Sequence, residues 1–351
     1  TLRLMSDRRV GFCLSDKKRR RMNLDAFIQF CIDLSQPLVP QGPFDVIVHK
    51  LSDVIVEAEH DSQSQQLLAN FQGYVSAHPS TILLDPLPAM TQLLDRFASY
   101  RIMNWRICSP PYLEIHSAGD LTHTLLLFSL LTLVCKTRVA HGSLSHEMSL
   151  IFSAGGLADI HPPCVLQSFV NHGAVLHKVF VVGDKHYCVE RPSLKNFPSG
   201  PCDRKTIFFN SHQVSKPESS SDLTALDEQM PCLPPPSSEA MSALVRELRV
   251  QLGMALFGVD VIINIHTHTL TVIDINIFPG TSGAHSDVQI HTERHTDVLI
   301  HFSIRLRGCP PVFLLSAQSH QVSVGQTCLC RTSGLCHPSP SDILHGFLAG
   351  L

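Results

Sequence analysis

The sequence is poor in charge. Charged residues make up 16% of its 351 residues, against roughly 25% in an average globular protein. Acidic and basic residues nearly balance, with a formal net charge of −3 at pH 7. A general nucleic-acid binder normally shows a strongly basic balance. We therefore expect no nucleic-acid partner, and any polyanion that binds must be held by a local basic cluster.

The chain also lacks a hydrophobic run of membrane-spanning length. Its most apolar stretch, LLLFSLLTLVC at 125–135, is shorter than the ~20 residues that a spanning helix needs. The first residues lack the apolar segment of a signal peptide. The 12 cysteines show no regular spacing and no CxxC pair, which indicates reduced thiols. We expect a monomeric cytoplasmic protein with no membrane span.

Strand-like and helix-like segments alternate over the first hundred residues. RVGFCL (9–14) and TILLDP (81–86) are typical of strands, and DSQSQQLLANFQGYVSAHP (61–79) has helical spacing. LDAFIQFCIDL (24–34) and AMTQLLDRFASYRI (89–102) are each predicted as one helix. This order predicts an α/β domain over residues 1–105, with its binding site at the carboxyl ends of the strands.

Strand candidates dominate from residue 106 onward. LVCKTRVAHGSLSHEMSLIF (133–152) is predicted as two strands joined by a polar loop, and LFGVDVIIN with LTVIDINIF (256–278) as a hairpin. Between them, SSEAMSALVRELRVQLG (237–253) is a helix that a serine caps and a glycine ends. The predicted units are 106–200 and 201–280. A divergent tail over 281–351 shows no helical period and is expected to pack loosely or not at all.

One apolar strand carries a carboxylate and an amide near its end. In TVIDINIFPG (271–280), the two-residue period of a strand puts Asp274 and Asn276 on the same face, opposite Ile273. Asp260 lies in the preceding strand and comes close to them if the two strands pair. Two carboxylates and an amide oxygen suit Mg²⁺, which prefers hard oxygen ligands. The alternative is that Asp260 caps a turn and the other two face solvent.

Two lysines occupy strands of the same region. Lys136 stands at the end of an apolar strand, and Lys178 stands inside VLHKVFVV (175–182). Each alone is typical of the solvent face of a sheet. Together with a magnesium site, they suit ammonium groups aimed at nucleotide phosphates.

These residues belong to longer blocks, among them RVGFCLSDKK, RICSPP, CKTRVAHGSLSHEM, RPSLKNF, FFNSHQVSKPESSS and VIDINIFPG. Over about residues 9–280 the blocks resemble the inositol 1,3,4-trisphosphate 5/6-kinases, also called inositol-tetrakisphosphate 1-kinases. The resemblance implies an ATP-grasp architecture, in which a small N-terminal α/β domain precedes central and C-terminal ATP-grasp subdomains. It also implies ATP and Mg²⁺ as cofactors and inositol polyphosphates as small-molecule partners.

The resemblance further implies a role for particular residues. The metal ligands would be Asp260, Asp274 and Asn276, and the catalytic residues Lys178 and His146. The implied ATP contacts are Arg96, Lys136, Gln167, Lys178, Ser193, Ser211 and Ser215. The implied substrate contacts are Lys18, Lys50, His146, Lys178, Lys195, Asn276 and Gly280. Lys18 belongs to the basic run KKRRR (17–21), which would supply the local positive charge or, alternatively, a solvated face.

The sequence departs from the family's pattern in four places. QPLVP (36–40) stands where the family has a further strand, and FASYRIMNW (97–105) replaces a longer helix. The stretch 114–134 matches poorly, with LLLFSLLTLV in place of a polar helix and turn. After Gly280 the resemblance stops. Missing strands remove buried surface from a native state that is only ~5–15 kcal/mol more stable than the unfolded chain. We therefore expect folding to be affected more than chemistry.

The sequence thus predicts an ATP- and Mg²⁺-dependent kinase. It would phosphorylate inositol 1,3,4-trisphosphate at position 5 or 6, or inositol 3,4,5,6-tetrakisphosphate at position 1. The alternative is a non-catalytic ATP-grasp protein that binds inositol phosphates or partners without turnover. A carboxylate–amine ligase, another ATP-grasp activity, is disfavoured by the blocks RPSLKNF and FFNSHQVSKPESSS.

Overall fold

A parallel sheet forms the first layer of the protein. The structure is a computed structural model that describes residues 9–15, 30–121, 132–198, 203–216, 218–225, 234–278, 287–291, 299–305 and 315–316. Strands β1 (Val10–Cys13), β2 (Phe30–Cys31), β3 (Val46–His49) and β4 (Ile82–Leu84) lie in the order β2-β1-β3-β4. Every neighbouring pair is parallel. The predicted α/β arrangement of the N-terminal region is therefore present.

Two helices follow β3 and connect it to β4. They are α1 (Ser52–Glu57) and α2 (Ser62–Ala77). Asp61 caps helix α2: its side chain accepts a hydrogen bond from the Ser64 N–H and satisfies a donor that the first turn leaves free. The predicted helix at 61–79 is confirmed.

The helix predicted over 24–34 is wrong at its end. Phe30 and Cys31 form β2, which pairs in parallel with β1, and residues 16–29 lie outside the described residues. Edge pairing satisfies backbone groups of β1 and overrides the helical spacing of the side chains. The shortened segment at 36–40 is a turn as predicted, with a 3₁₀ turn over Val39–Gln41.

The segment 89–102 is two helices, not the single one predicted. Helix α3 (Leu87–Leu94) ends before Asp95, and α4 (Arg96–Arg106) begins after it. The backbone of Asp95 is extended and forms a β-bridge with Val139. Its carboxylate accepts a hydrogen bond from the Phe97 N–H at 2.8 Å. This cap begins α4 as a helix separate from α3.

A five-stranded antiparallel sheet follows. Its strands lie in the order β11-β7-β6-β8-β5. They are β5 (Tyr112–Ile115), β6 (Leu133–Thr137), β7 (Glu147–Ile151), β8 (Cys164–Ser168) and β11 (Ile207–Asn210). The predicted pairing of β6 with β7 is confirmed. The one-turn helix α5 (Ser211–Val214) continues β11.

A second antiparallel sheet faces it, with the order β10-β9-β12-β13. Its strands are β9 (Val175–Val182), β10 (Lys185–Pro192), β12 (Leu256–Ile263) and β13 (Leu270–Ile277). Helix α6 (Ser238–Leu252) precedes β12. It is capped by the Ser237 side chain and ends at Gly253 with a left-handed φ of 62°, a conformation that glycine adopts without strain. The predicted helix and the predicted β12–β13 hairpin are confirmed.

The largest apolar core lies between the second sheet and helices α4 and α6. Tyr100 and Met103 of α4, Leu248 of α6 and Phe257 of β12 all have 0% exposed surface. Burying such a side chain contributes roughly 1.5–3 kcal/mol. Helix α4 is short because the sequence after Phe97 is shortened, yet its apolar side chains are still buried in this core.

Asp85 connects the first sheet to the second. Its carboxylate accepts hydrogen bonds from the Ala255 and Leu256 N–H groups at 2.7 and 2.8 Å. Burial raises the pKa of this carboxyl to about 6, against the lowering effect of those two bonds. The Asp85 carbonyl lies 2.6 Å from His49 Nε2. This residue positions β12 next to the parallel sheet.

The described residues of the tail are strands. They are β14 (Asp287–His291), β15 (Leu299–Arg305) and β16 (Leu315–Ser316), which form an antiparallel sheet in that order. None of the helices in the described ranges is both long and apolar enough to cross a membrane.

Candidate active site

A cleft between the two antiparallel sheets collects most of the predicted site residues. It contains about 1170 Å³ of empty space, its open mouth included. Eleven of the predicted side chains line it: Arg96, Lys136, His146, Gln167, Lys178, Ser193, Ser211, Ser215, Asp260, Asp274 and Asn276. These residues come from both sheets and from α4, so the fold brings together positions far apart in sequence.

Four predicted substrate contacts are not placed in this cleft. Lys50 and Lys195 are described but are not among the residues that line it. Lys50 follows β3 in the parallel sheet, and its N–H donates to the Cys13 carbonyl at 3.0 Å. Lys18 and Gly280 lie outside the described residues.

The predicted metal ligands face one another across β12 and β13. Asp260 is directly opposite Asp274 in the register of the two strands. The Asn276 side-chain amide donates to Asp260 Oδ2 at 3.3 Å, so two of the three predicted ligands are in direct contact. The structure thus contradicts the alternative of a turn cap and two solvent-facing residues.

Lys178 approaches the same carboxylate from the next strand. It lies opposite Asp260 in the pairing of β9 with β12. Its Nζ is 3.0 Å from Asp260 Oδ1 and donates to Oδ2 at 3.4 Å. Oδ1 is buried, and its nearest cation is this ammonium. Hard carboxylate oxygens that line a cleft also suit a divalent cation.

A β-bulge interrupts the predicted alternation of β13. Asp274 pairs with Asp260, but Val272 pairs with Val261, so Ile273 is the extra residue. A bulge releases a residue from the ladder and re-aims it. Ile273 lines the cleft, and the prediction that it fills the opposite face is wrong. Its carbonyl accepts a hydrogen bond from Lys136 Nζ at 2.8 Å.

Lys136 is buried at the end of β6, with 4% exposed surface. Burial lowers the pKa of its ammonium to about 8, and Arg96 acts in the same direction, whereas Asp274 and Asp260 raise it. The ammonium also lies 5.4 Å from the centroid of the Tyr100 ring. A cation that is this poorly hydrated binds an anionic ligand strongly.

Arg96 fixes the loop between β6 and β7. Its Nη1 donates to the Thr137 carbonyl at 2.7 Å, and its Nη2 donates to the Ser145 carbonyl at 2.9 Å. Nη2 also lies 3.9 Å from Asp274 Oδ2. The guanidinium therefore holds the loop against the carboxylate face of the cleft, a second role beside the predicted ATP contact.

His146 ends this loop and lines the cleft. Its ring packs edge-to-face on His212, with centroids 5.1 Å apart, and its Nδ1 lies 3.5 Å from Ser211 Oγ. Partial burial and the neighbouring His212 lower the pKa of His146. The imidazole is therefore neutral at pH 7 and can accept a proton.

Ser193 is held by a buried histidine. Its Oγ lies 2.7 Å from His172 Nε2, and His172 Nδ1 lies 2.7 Å from the Val170 carbonyl. Burial lowers the pKa of His172 to about 4. A neutral ring that donates from Nδ1 to Val170 must accept at Nε2, so the Ser193 hydroxyl donates its proton to His172. The oxygen of Ser193 can then accept from a ligand.

Sequence reasoning missed four residues at or behind the cleft: Tyr100, His172, Arg191 and His212. Arg191 and His212 adjoin predicted positions inside the quoted blocks RPSLKNF and FFNSHQVSKPESSS, and both line the cleft. Their proximity to Ser193 and Ser211 was a signal that could have found them. Nothing in the sequence distinguishes Tyr100 from an ordinary core aromatic.

Two family models match the chain in succession. The model of the inositol 1,3,4-trisphosphate 5/6-kinase pre-ATP-grasp domain matches residues 9–90. The model of the ATP-grasp domain of the same kinases matches residues 102–296. The second match extends beyond residue 280, so the prediction that the resemblance stops there is wrong. The chain is thus an ATP-grasp protein.

Named relatives agree with this class. The inositol-tetrakisphosphate 1-kinase of Xenopus laevis is 48% identical over 325 residues, which covers 86% of this chain and 80% of the relative. The protein of the same name from Danio rerio is 48% identical over 322 residues, with the same coverage. A rice relative, inositol-tetrakisphosphate 1-kinase 3, is 34% identical and covers 77% of each chain. The chain belongs to the inositol 1,3,4-trisphosphate 5/6-kinase family and is a kinase that uses ATP.

Proposed function

We propose that this protein transfers the γ-phosphate of ATP, with Mg²⁺, to a ring hydroxyl of an inositol polyphosphate. The acceptors would be inositol 1,3,4-trisphosphate, at position 5 or 6, and inositol 3,4,5,6-tetrakisphosphate, at position 1. The main support is that two lysines and two carboxylates share one cleft in a member of this family. Phosphoryl transfer requires positioning and charge neutralisation more than a strong base.

Asp260, Asp274 and Asn276 would hold the metal. The hard-oxygen character of the three side chains fits this role, and all three line the same cleft. When bound, Mg²⁺ neutralises negative charge on the transferring phosphate. Lys178 balances the Asp260 carboxylate at 3.0 Å, so the ammonium is positioned next to the metal ligands.

The nucleotide would lie along the cleft wall formed by the five-stranded sheet. Lys136 and Lys178 would contact its phosphates, with Lys178 near the transferred group. Gln167, which is 2% exposed, and Ser193, which is 7% exposed, would contact the nucleoside. The remaining proposed ATP contacts are Arg96, Ser211 and Ser215.

The acceptor would enter at the mouth of the cleft. His146, Lys178 and Asn276, which line the cleft, would contact the acceptor. His146 Nε2 can take the proton of the attacking hydroxyl, because the lowered pKa keeps the ring neutral. Lys50 and Lys18 would extend the basic surface from the domain over 1–105, and Lys195 and Gly280 would be further substrate contacts. The units 106–200 and 201–280 would form most of the cleft, to which Arg96 contributes from the unit over 1–105, with 281–351 outside it.

A thermal melt of the purified chain tests this proposal. The melt is run alone, with Mg-ATP, and with Mg-ATP plus inositol 1,3,4-trisphosphate. A ligand that binds only the folded state raises the midpoint, so two successive upward shifts are expected, followed by formation of an inositol tetrakisphosphate. Two shifts without product would instead identify a non-catalytic binding protein. Stimulation of ADP release by amino acids and not by inositol phosphates would identify a ligase.

A further inference from the structure

The hydroxyl of Tyr100 lies behind the cleft wall. The side chain has 0% exposed surface and projects from α4, one turn after Arg96. Its Oη is 3.1 Å from Gln167 Oε1 and 3.2 Å from the Ile273 carbonyl oxygen. A tyrosine hydroxyl has one proton, so it can donate fully to one of these two acceptors.

The competing contacts decide which acceptor receives the proton. The Ile273 carbonyl already accepts from the Lys136 ammonium at 2.8 Å, and a charged donor makes the stronger bond. Gln167 Oε1 has no other side-chain donor among the residues that the structure describes. Tyr100 therefore donates to Gln167 and holds its amide oxygen towards α4.

This orientation turns the amide nitrogen of Gln167 towards the cleft. Gln167 is 2% exposed, and its Nε2 has no hydrogen-bond partner in the described part of the chain. A buried donor without a partner is unfavourable, so an acceptor atom of a ligand in the cleft would bind there. The wall thus contains a fixed hydrogen-bond donor before any ligand arrives.

The ring of Tyr100 contacts the Lys136 ammonium. Lys136 Nζ lies 5.4 Å from the ring centroid, within the range of a cation–π contact. The bulge at Ile273 supplies the carbonyl that accepts from Lys136 and lies 3.2 Å from the Tyr100 hydroxyl. One buried side chain therefore contacts two of the proposed ATP-binding residues and touches no ligand itself.

We propose that Tyr100 is the positioning residue of the nucleotide site. Its hydroxyl locks Gln167 with the amide donor facing an acceptor atom of the nucleotide, and its ring holds the Lys136 ammonium towards the phosphates. This inference rests on the proposed function, because it takes ATP as the ligand of the cleft. Neither family model covers Tyr100, since the matches end at residue 90 and resume at residue 102.

Tyr100→Phe removes the hydroxyl and keeps the ring. We expect the dissociation constant of a non-hydrolysable ATP analogue, measured by calorimetry, to rise about five- to tenfold, the effect of one hydrogen bond. KM for ATP should rise by the same factor, with kcat and KM for the inositol phosphate nearly unchanged. Tyr112→Phe is the matched control, because its ring packs on Tyr100 with centroids 5.0 Å apart. It should bind the analogue as the wild type does.

A double-variant cycle separates this role from a general loss of packing. Gln167→Leu should weaken analogue binding, and Tyr100→Phe combined with Gln167→Leu should bind no worse than Gln167→Leu alone. Additive losses would overturn the inference, as would wild-type binding by Tyr100→Phe. Failure of the wild-type chain to bind the analogue would contradict the proposed function instead.

A second variant tests the amide orientation without altering Tyr100. Gln167→Glu keeps the acceptor that faces Tyr100 and replaces the donor in the cleft by a second oxygen. We expect analogue binding to fall more than tenfold while the melting midpoint of the free protein stays close to the wild-type value. Unchanged binding would show that the donor does not face the nucleotide and would overturn the inference even if Tyr100→Phe folds poorly.

Discussion

Asp274 is the residue through which the proposed metal site is tested most directly. It lies opposite Asp260 in the strand register and within 3.9 Å of Arg96 Nη2. Asp274→Ala should reduce turnover to background, because the metal and the transferring phosphate lose an anchor. Arg96 keeps its bonds to the loop carbonyls, so the fold should survive. The measurement is product formation with saturating Mg-ATP and inositol 1,3,4-trisphosphate.

The control for this variant is Asp184→Ala. Asp184 is exposed in the turn between β9 and β10, and its loss should leave turnover at the wild-type level. Wild-type turnover by Asp274→Ala would remove the metal assignment.

Lys178 and Lys195 make a second comparison at the residue scale. Both are proposed substrate contacts, but Lys178 lines the cleft beside Asp260 and Lys195 does not line it. Lys178→Ala should lower kcat by at least about a hundredfold, since a charge next to the transferred group is lost. Lys195→Ala should raise KM for the inositol phosphate by no more than about tenfold, without a large change in kcat. Steady-state kinetics of both variants distinguish the two roles. Equal losses of kcat would place Lys195 at the reacting group.

The sequence is informative about single residues where strand periodicity is regular. Asp274 and Asn276 are two residues apart in a strand, so their shared face follows from geometry. The bulge at Ile273 does not follow, because it depends on how β13 pairs with β12. Tyr100 and Gln167 are 67 residues apart, and nothing in their local spacing indicates that they meet.

At the scale of elements, the break between α3 and α4 is the feature most closely linked to the cleft. Asp95 caps α4 by accepting from the Phe97 N–H, and its Oδ2 accepts from Arg138 at 2.7 Å. Asp95→Ala should destabilise the protein by about 1–2 kcal/mol through the lost cap. The next residue, Arg96, holds the β6–β7 loop, so kcat/KM for ATP should also fall, by roughly tenfold. Urea denaturation and kinetics measure the two effects.

Asp61→Ala provides the matched control for a cap. Asp61 caps α2 in the same way, by accepting from the Ser64 N–H at 2.7 Å. This variant should lose a similar free energy of unfolding and keep its kcat/KM. If both variants lose activity in proportion to stability, α4 has no special link to the cleft.

Elements were predictable where local signals and tertiary contacts agree. Helix α6 carries its own serine cap and terminal glycine, and its predicted bounds are confirmed. Over residues 89–102 the apolar spacing suits one helix, yet Asp95 is drawn into a β-bridge with Val139. Phe30 and Cys31 likewise pair with β1. In both cases backbone pairing with a segment distant in sequence outweighs the local periodicity.

At the scale of the whole molecule, three buried groups make stability depend on pH. Burial lowers the pKa of His49 and of His172 from 6.5 to about 4. Their contributions are present above pH 6.5 and are lost as the pH falls towards 4. Burial raises the pKa of Asp85 to about 6, so its contribution has the opposite sign and grows as the pH falls below 6. Two histidines outweigh one carboxyl, and we expect a net loss of stability in acid.

His49→Gln tests the origin of this acid slope. His49 is 0% exposed and its Nε2 lies 2.6 Å from the Asp85 carbonyl oxygen; glutamine retains an amide donor for that oxygen but cannot take up a proton. Between pH 7.5 and 4.5 the wild type should lose on the order of 2–3 kcal/mol through His49 alone. The variant should lack this loss. Its free energy of unfolding should therefore lie below that of the wild type at pH 7.5, and the difference should shrink steadily towards pH 4.5. Urea denaturation at half-unit steps measures the difference, and a constant gap across the window would show that His49 does not titrate there.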